Sequence, residues 1–219
     1  MTDAGLSNIS PYLPGALSEW SSCAEAARPL PSIEHFEGVF LVVDISGFTR
    51  LTGRLSRQGG AGVERISQIL TDFFSDLVAL VEAEGGVVFS FEGDALLAGW
   101  RRDVDALSSL LLRCCGCALA IQRRFKHWKA DDQKLQTRMS IGAGEIQFMH
   151  LGDDARRCHL LPAGEAVEQA TSVIVSADAD EILVSREAWQ LIHEFCEAEP
   201  HKDGSVRLLQ VNAELPPNI

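Results

Sequence analysis

With 219 residues, 46% of them hydrophobic and 23% charged, the chain is long enough to bury a substantial core and lacks the polar bias of a disordered segment. Nineteen Lys and Arg against 31 Asp and Glu give a formal net charge of −12, which excludes the cationic footprint needed to grip a nucleic-acid polymer or an anionic membrane face. An anionic small ligand would have to be received by a cation or by a local nest of donors.

The opening MTDAGLSNIS lacks the basic region and apolar run of a secretory signal. The longest apolar stretch, Leu107 to Ile121, is broken by Arg113. No membrane span is expected, and a cytoplasmic protein with reduced thiols is. Residues 1–35, rich in Pro, Ser and Ala with an amphipathic piece from Tyr12 to Trp20, read as a leader packed across the domain. Residues 36–212 read as the domain itself, and 213–219, within AELPPNI, as a tail at a domain boundary.

Gly38 to Ile45, GVFLVVDI, is a continuous run of strand length, as expected where a strand is buried on both faces. Thr49 to Ser56 is helical in pattern, and RQGGAG interrupts it. Val63 to Glu84 then places Ile66, Ile69, Leu70, Phe73, Phe74, Leu77, Leu80 and Val81 at the spacing of a long amphipathic helix. Gly85-Gly86 stops that helix, and two strands, VVFSF and ALLAGW, follow around a tight Glu92-Gly93-Asp94 turn.

Asp103 and Asp105 open a second long helix that runs to Phe125. Its Cys114, Cys115 and Cys117 have no paired CxxC spacing and read as packed thiols rather than a metal cluster. After a charged linker, KADDQK, Thr137 to Gln147 reads as a strand whose IGAGE glycines thin one side for close approach. A strand at His159 to Leu161, a helix from Glu165, the strand EILVS, the helix REAWQLIHEF and a strand at Val206 to Leu209 complete an α+β order, with long helices on one sheet.

Two segments carry chemistry: VVDISGFTRLT, with Asp44 closing a buried strand, and FEGDALLAGW, with Asp94 at a hairpin tip. A carboxylate at the end of an apolar strand costs desolvation energy unless something positive receives it. Each aspartate alone is also explained as a helix cap or a turn residue. The pair points to two hard divalent cations, about 3.5–4 Å apart in sites of this kind, which clamp the attacking and leaving oxygens of a phosphoryl displacement. Ile45, Ser46, Gly47, Phe48 and Thr49 run from strand into helix, so their free backbone N–H groups would face phosphates.

The motifs FxxVDISGFTxLT and GGxxxxFxGDALLAxW are similar to those of class III adenylyl and guanylyl cyclases, in particular the first of the two catalytic domains of soluble, bicarbonate-responsive adenylyl cyclases. The resemblance covers roughly residues 10–210, including IGAGEI, LGDDARRCHLLPAGEAV and ILVSREAWQL. It implies a ferredoxin-like βαββαβ core with extra helices and strands, paired head to tail with a second such domain. It further implies that Asp44 and Asp94, with Ile45, hold two Mg²⁺ or Mn²⁺ ions. The backbone of Ile45 to Thr49 would meet the triphosphate of ATP, GTP being less favoured, and cyclic AMP and pyrophosphate would result.

Departures from the family pattern qualify that expectation. The residue four before the second metal aspartate, a base-recognising lysine or its equivalent in the family, is Ser90 here. In GxxVNxxxR the Asn and Arg positions hold Glu168 and Ser172, and the purine-contacting position holds Leu161. Losing an arginine that stabilises phosphoryl-transfer charge costs about 10³ to 10⁵ in rate by analogy with arginine fingers. A homodimer of the isolated domain, and with it a homodimeric guanylyl cyclase, is therefore expected to be nearly inactive. A complementary cyclase domain, in the same longer chain or in trans, is required. Ser90 and the region of Thr171 also lack the lysine and arginine that hold bicarbonate in the relatives, so activation by that mode is not expected, and Arg156 and Arg157 read as a solvated loop. The competing function is a catalytically inactive cyclase-homology module that binds nucleotide or dimerises for regulation.

Overall fold

In the computed structural model, which describes residues 31–130, 133–152 and 158–212, the run predicted as a strand over Gly38–Ile45 is the inner half of a longer one. Strand β1 (Ser32–Ser46) alternates in burial up to Glu37 and is continuously buried from Gly38 to Val43. The change follows its neighbours: the inner half lies between β3 (Ala95–Arg101) and β6 (Gln136–Gly152), whereas Ser32–Glu37 pairs with β6 alone. Residues 32–35, assigned from sequence to the leader, thus belong to the sheet. The rest of the leader, the tail at 213–219, and Arg156 and Arg157 lie outside the described residues.

Helix α1 (Phe48–Leu55) continues through a 3₁₀ turn (Ser56–Gln58) into α2 (Gly60–Ala83), which begins within the glycines read as an interruption. One of those glycines serves a close approach: a Cβ on Gly62 would lie 1.8 Å from the Leu55 carbonyl oxygen. Strand β2 (Val87–Glu92) forms the expected hairpin with β3, and α3 (Leu107–Phe125) starts beyond the two predicted opening aspartates. Asp105 instead accepts from Arg113 Nη2 at 3.4 Å. The KADDQK linker carries a small hairpin, β4 (Lys129–Ala130) with β5 (Gln133–Lys134).

The remaining elements are β7 (Cys158–Ala163), α4 (Glu165–Val173), β8 (Ile182–Val184), α5 (Arg186–Ile192), β9 (Cys196–Pro200) and β10 (Val206–Val211). Strand β9 was not foreseen, because CEAEP is too charged to read as a strand; it is held as an edge by backbone pairing with β10. The strands run β2-β3-β1-β6-β8-β10-β9, with β7 added to the far end of β6. Within this sheet β1, α2, β2, β3, α3 and β6 trace the expected ferredoxin-like βαββαβ core, in strand order β2-β3-β1-β6.

Alternation along β1 sorts the core into two layers. Val39, Leu41, Val43 and Ile45 meet α2, α3 and α5 through Phe73, Leu77, Leu111, Ile121 and Ile192, while Phe40 and Val42 face the opposite layer with Ala166 and Ala170 of α4. The glycines of IGAGE serve that second layer as predicted, since a Cβ on Gly142 would lie 2.2 Å from the Ala166 carbonyl oxygen. Cys114, Cys115 and Cys117 are buried free thiols of the first layer, and burial pushes the Cys117 thiol up to about 12.

Candidate functional site

Fifty residues of sequence separate Asp44 from Asp94, and the register of β1 on β3 closes that gap. Asp44 sits opposite Ala95, and the Ile45 N–H donates to the Asp94 carbonyl oxygen at 3.2 Å. Asp94 follows Gly93, whose φ of 68° supplies the left-handed step that the tight β2–β3 turn requires. Both aspartates are partly buried at one end of the sheet, Asp44 with 16% of its side chain exposed. An extended residue directs its N–H and C=O to the same edge, so the Ile45 carbonyl also lies on the Asp94 side.

Ser46 ends β1, half-buried, and Gly47 is the N-cap of α1 at φ 94°. Phe48 packs against the main core and anchors the helix, leaving Thr49 exposed at its first turn. Among the described residues no side chain caps α1, so its first N–H groups have no side-chain capping acceptor there. The five residues predicted to meet phosphates therefore form one strand-to-helix corner directly after Asp44.

One residue of the candidate site was missed from sequence. Arg138 lies opposite Asp44 on β6, and its Nε donates to Asp44 Oδ2 at 2.5 Å. The available signal was a single arginine within TRMSIGAG, a strand otherwise built of small and apolar residues. Opposed charges on facing residues of an antiparallel pair attract one another and offset the cost of burying the carboxylate.

The positions that depart from the family pattern lie elsewhere. Ser90 is opposite Leu97, at an irregularity in the β2–β3 pairing. Leu161 on β7 is 46% exposed, an apolar side chain presented to solvent. Glu168, Thr171 and Ser172 are exposed on α4, with Ser172 Oγ donating to the Gln169 carbonyl at 3.0 Å and Thr171 Oγ1 to the Val167 carbonyl at 2.7 Å. The hydroxyls are thus spent on their own helix.

Among the described residues, no three His, Cys, Asp or Glu side chains converge as a self-sufficient metal cage. Two carboxylates and a backbone carbonyl are an incomplete set for calcium or zinc. They fit a Mg²⁺-like ion, which is commonly held by one or two carboxylates and completes its shell with water and substrate phosphate oxygens. The adjacent first turn of α1, which has no side-chain cap among the described residues, is where such phosphates would lie.

No family model matches the chain. Among curated proteins it is 32% identical over 164 residues to adenylate cyclase type 10 of Oryctolagus cuniculus, covering 74% of this chain and 10% of that protein. It is 31% identical over 192 residues to the Homo sapiens protein of the same name, covering 85% and 12%. The chain spans about a tenth of the length of these relatives. Among solved structures, the guanylyl cyclase domain of the RhoGC fusion protein from the fungus Blastocladiella emersonii matches with a TM-score of 0.70 at 19% identity, over 83% of this chain and 99% of that one. The adenylyl cyclase CyaB from P. aeruginosa matches at 0.66 and 21% identity, over 84% and 97%. In sequence and in fold the chain belongs with the class III adenylyl and guanylyl cyclase catalytic domains, as a relative of the soluble adenylyl cyclases.

Proposed function

We propose that this class III cyclase domain forms cyclic AMP and pyrophosphate from ATP in partnership with a complementary cyclase domain, itself contributing the metal-holding half of the site. The observation that carries this reading is the β1–β3 register, which sets Asp44 and Asp94 on adjacent chain segments beside the strand-to-helix corner at Ile45 to Thr49. Asp44, Asp94 and the Ile45 carbonyl would hold two Mg²⁺ or Mn²⁺ ions. When bound, such ions supply charge neutralisation and activation of the attacking hydroxyl in an in-line phosphoryl displacement.

The chain's own residues do the rest of the binding. Backbone N–H groups of Ser46 to Thr49 orient the phosphate oxygens at the α1 N-terminus. Arg138 donates to Asp44 and offsets its charge, and its guanidinium would be available to phosphate if a cation were held at that carboxylate. Glu168 and Ser172 offer no positive charge for a transition state, and Ser90 and Leu161 offer no cationic base recognition, so a complementary domain must bring both, in the same longer protein or in trans. No helix of the described residues is long and apolar enough to cross a membrane.

The test mixes the purified chain with a candidate complementary domain and measures cyclic nucleotide from ATP and from GTP with Mg²⁺ or Mn²⁺. Metal-dependent cyclic AMP that appears only in the mixture and vanishes with Asp44→Ala is expected. The exposed Leu161 and Glu168 favour a second reading, a non-enzymatic regulatory module. That reading would prevail if no candidate pair made product and Asp44→Ala changed no binding property of the chain.

A further inference from the structure

The softest joint of the candidate site is the peptide that leaves Gly47. Strand β1 stays paired to its end, Asp44 with Ala95 and Arg138, and Ser46 with Gln136. Helix α1 is held to the core by the buried Leu51 and Leu55. Between the two lies one glycine at φ 94° with no side-chain cap, followed by the first bond of an eight-residue helix, from the Leu51 N–H to the Gly47 carbonyl at 3.2 Å. So short a helix is marginal by itself, and its end frays unless something else holds it.

A second donor reaches that carbonyl. Gln133, in the β4–β5 hairpin, donates from Nε2 to the Gly47 oxygen at 2.8 Å, from 86 residues away in sequence. The hairpin lies against the glycine as well: a Cβ on Gly47 would be 3.4 Å from the Lys134 carbonyl oxygen and 3.6 Å from Leu135 Cδ2. A trans peptide points its C=O and N–H in opposite directions. Fixing the Gly47 oxygen therefore also fixes the direction of the Phe48 N–H, the first donor of α1.

The hairpin is itself anchored. Ala130 and Leu135 are buried, and Trp128 meets Phe73 of the core edge-on at 5.0 Å. On the far side Asp180 Oδ2 lies 3.3 Å from Lys134 Nζ and accepts from Gln136 Nε2. Among the described residues Asp180 alone has a positive φ, 67°, without being glycine. Its N–H donates to the Thr137 carbonyl at 2.8 Å, and its own carbonyl accepts from Gln122 Nε2 at 2.5 Å. A left-handed backbone persists only where its surroundings hold it, and these surroundings also brace the hairpin. Gln133 thus reaches Gly47 from a fixed base.

Given the function proposed above, on which this inference rests, we propose that Gln133 is a positioning residue for the nucleotide. It touches no ligand; through the Gly47 carbonyl it sets the angle at which α1 leaves β1, and with it the N–H groups of Phe48 and Thr49. Its effect is selective. Metal held by Asp44, Asp94 and the Ile45 carbonyl lies before the joint and is indifferent to the tie, whereas a metal–nucleotide complex spans both sides of it.

Gln133→Met keeps the length of the side chain and removes the donor. In the ligand-free chain, amide hydrogen exchange read by NMR should be about fivefold faster at Leu51 and unchanged at Phe73 and Leu77 of α2. By calorimetric titration Mn²⁺·ATP should bind about tenfold more weakly, the upper end of what one neutral hydrogen bond supplies, with Mn²⁺ alone within about twofold of wild type. With a complementary domain that yields cyclic AMP, KM should rise by a similar factor while kcat stays within about threefold. Equal Mn²⁺·ATP affinity in variant and wild type, or an equal loss for Mn²⁺ alone, overturns the positioning role and leaves the proposed function standing. If every partner leaves the chain inert, the proposed function fails and the split between the two affinities still decides the role of Gln133. A wild type that does not bind Mn²⁺·ATP sinks both.

Discussion

Replacing Arg138 by Met makes a prediction whose sign differs between two ligands. Arg138 holds Asp44 through a charge-assisted hydrogen bond of 2.5 Å, with the arginine side chain 36% exposed and the aspartate 16%. Hydrogen bonds to charged groups contribute about 1.5–3 kcal/mol, and solvent screening at this exposure reduces the figure to about 1 kcal/mol. A metal ion that takes over Asp44 must first break that pair. Removing the arginine should therefore strengthen binding of Mn²⁺ alone by about fivefold, since 1.4 kcal/mol corresponds to a factor of ten. Mn²⁺·ATP should bind about tenfold more weakly, because the released guanidinium is no longer there to meet phosphate. Paramagnetic resonance of free Mn²⁺, titrated with and without ATP, reads both effects on one sample, and Asp44→Asn provides the baseline without the carboxylate. Unchanged or weaker binding of Mn²⁺ alone in Arg138→Met would refute competition between Arg138 and metal for Asp44.

Three further outcomes follow from the packing. Gly142→Ala should lower stability by about 2–3 kcal/mol, because the new Cβ lies 2.2 Å from the Ala166 carbonyl oxygen and 2.9 Å from the Ala170 nitrogen, and neither backbone can yield without moving α4; a melting temperature lower by roughly 4–12 °C is expected. Ser185→Ala should cost about 1 kcal/mol in denaturant unfolding, since Ser185 Oγ caps α5 by accepting from Ala188 N at 3.1 Å and donates to Gln169 Oε1 at 2.8 Å. The buried thiols predict a loss of stability at high pH. Burial pushes Cys117 up to about 12 and Cys196 up to about 11, from an ordinary value of 9.0, so above about pH 9 the unfolded chain loses thiol protons that the folded chain keeps. Stability then falls by up to about 1.4 kcal/mol per pH unit per thiol. Urea midpoints at pH 8 and pH 10.5, compared with Cys117→Ala/Cys196→Ala, measure it, and a wild type no more pH-sensitive than the variant would contradict the assignment.

Much of this architecture is legible in one dimension because the relevant periodicities are local. Val63 to Glu84 repeats its apolar residues at helical spacing, and α2 forms there, with only its start displaced by the Gly62 contact. The unbroken run in GVFLVVDI belongs to the part of β1 flanked on both sides, whereas the outer SIEHFE alternates and its residues 32–35 read as leader, since whether a strand has one neighbour or two is decided by the sheet. Strand β9 was illegible for a related reason: backbone pairing at an edge places little demand on side chains.

At the site the same division holds. Asp44, Asp94 and the corner from Ile45 to Thr49 stand out in sequence because a carboxylate ending an apolar run and a glycine-bearing turn are local anomalies. Arg138, Lys134 and Asp180 carry no such signal, being ordinary charged residues until strand register and a hairpin tie set them beside Asp44 and Gly47. The chain's residues alone determined most of the elements and which two acids are out of place. Which cation faces Asp44, and which side chain ties down Gly47, was decided only by tertiary structure, because charge acts through space and its effect depends on neighbours that covalent order does not record.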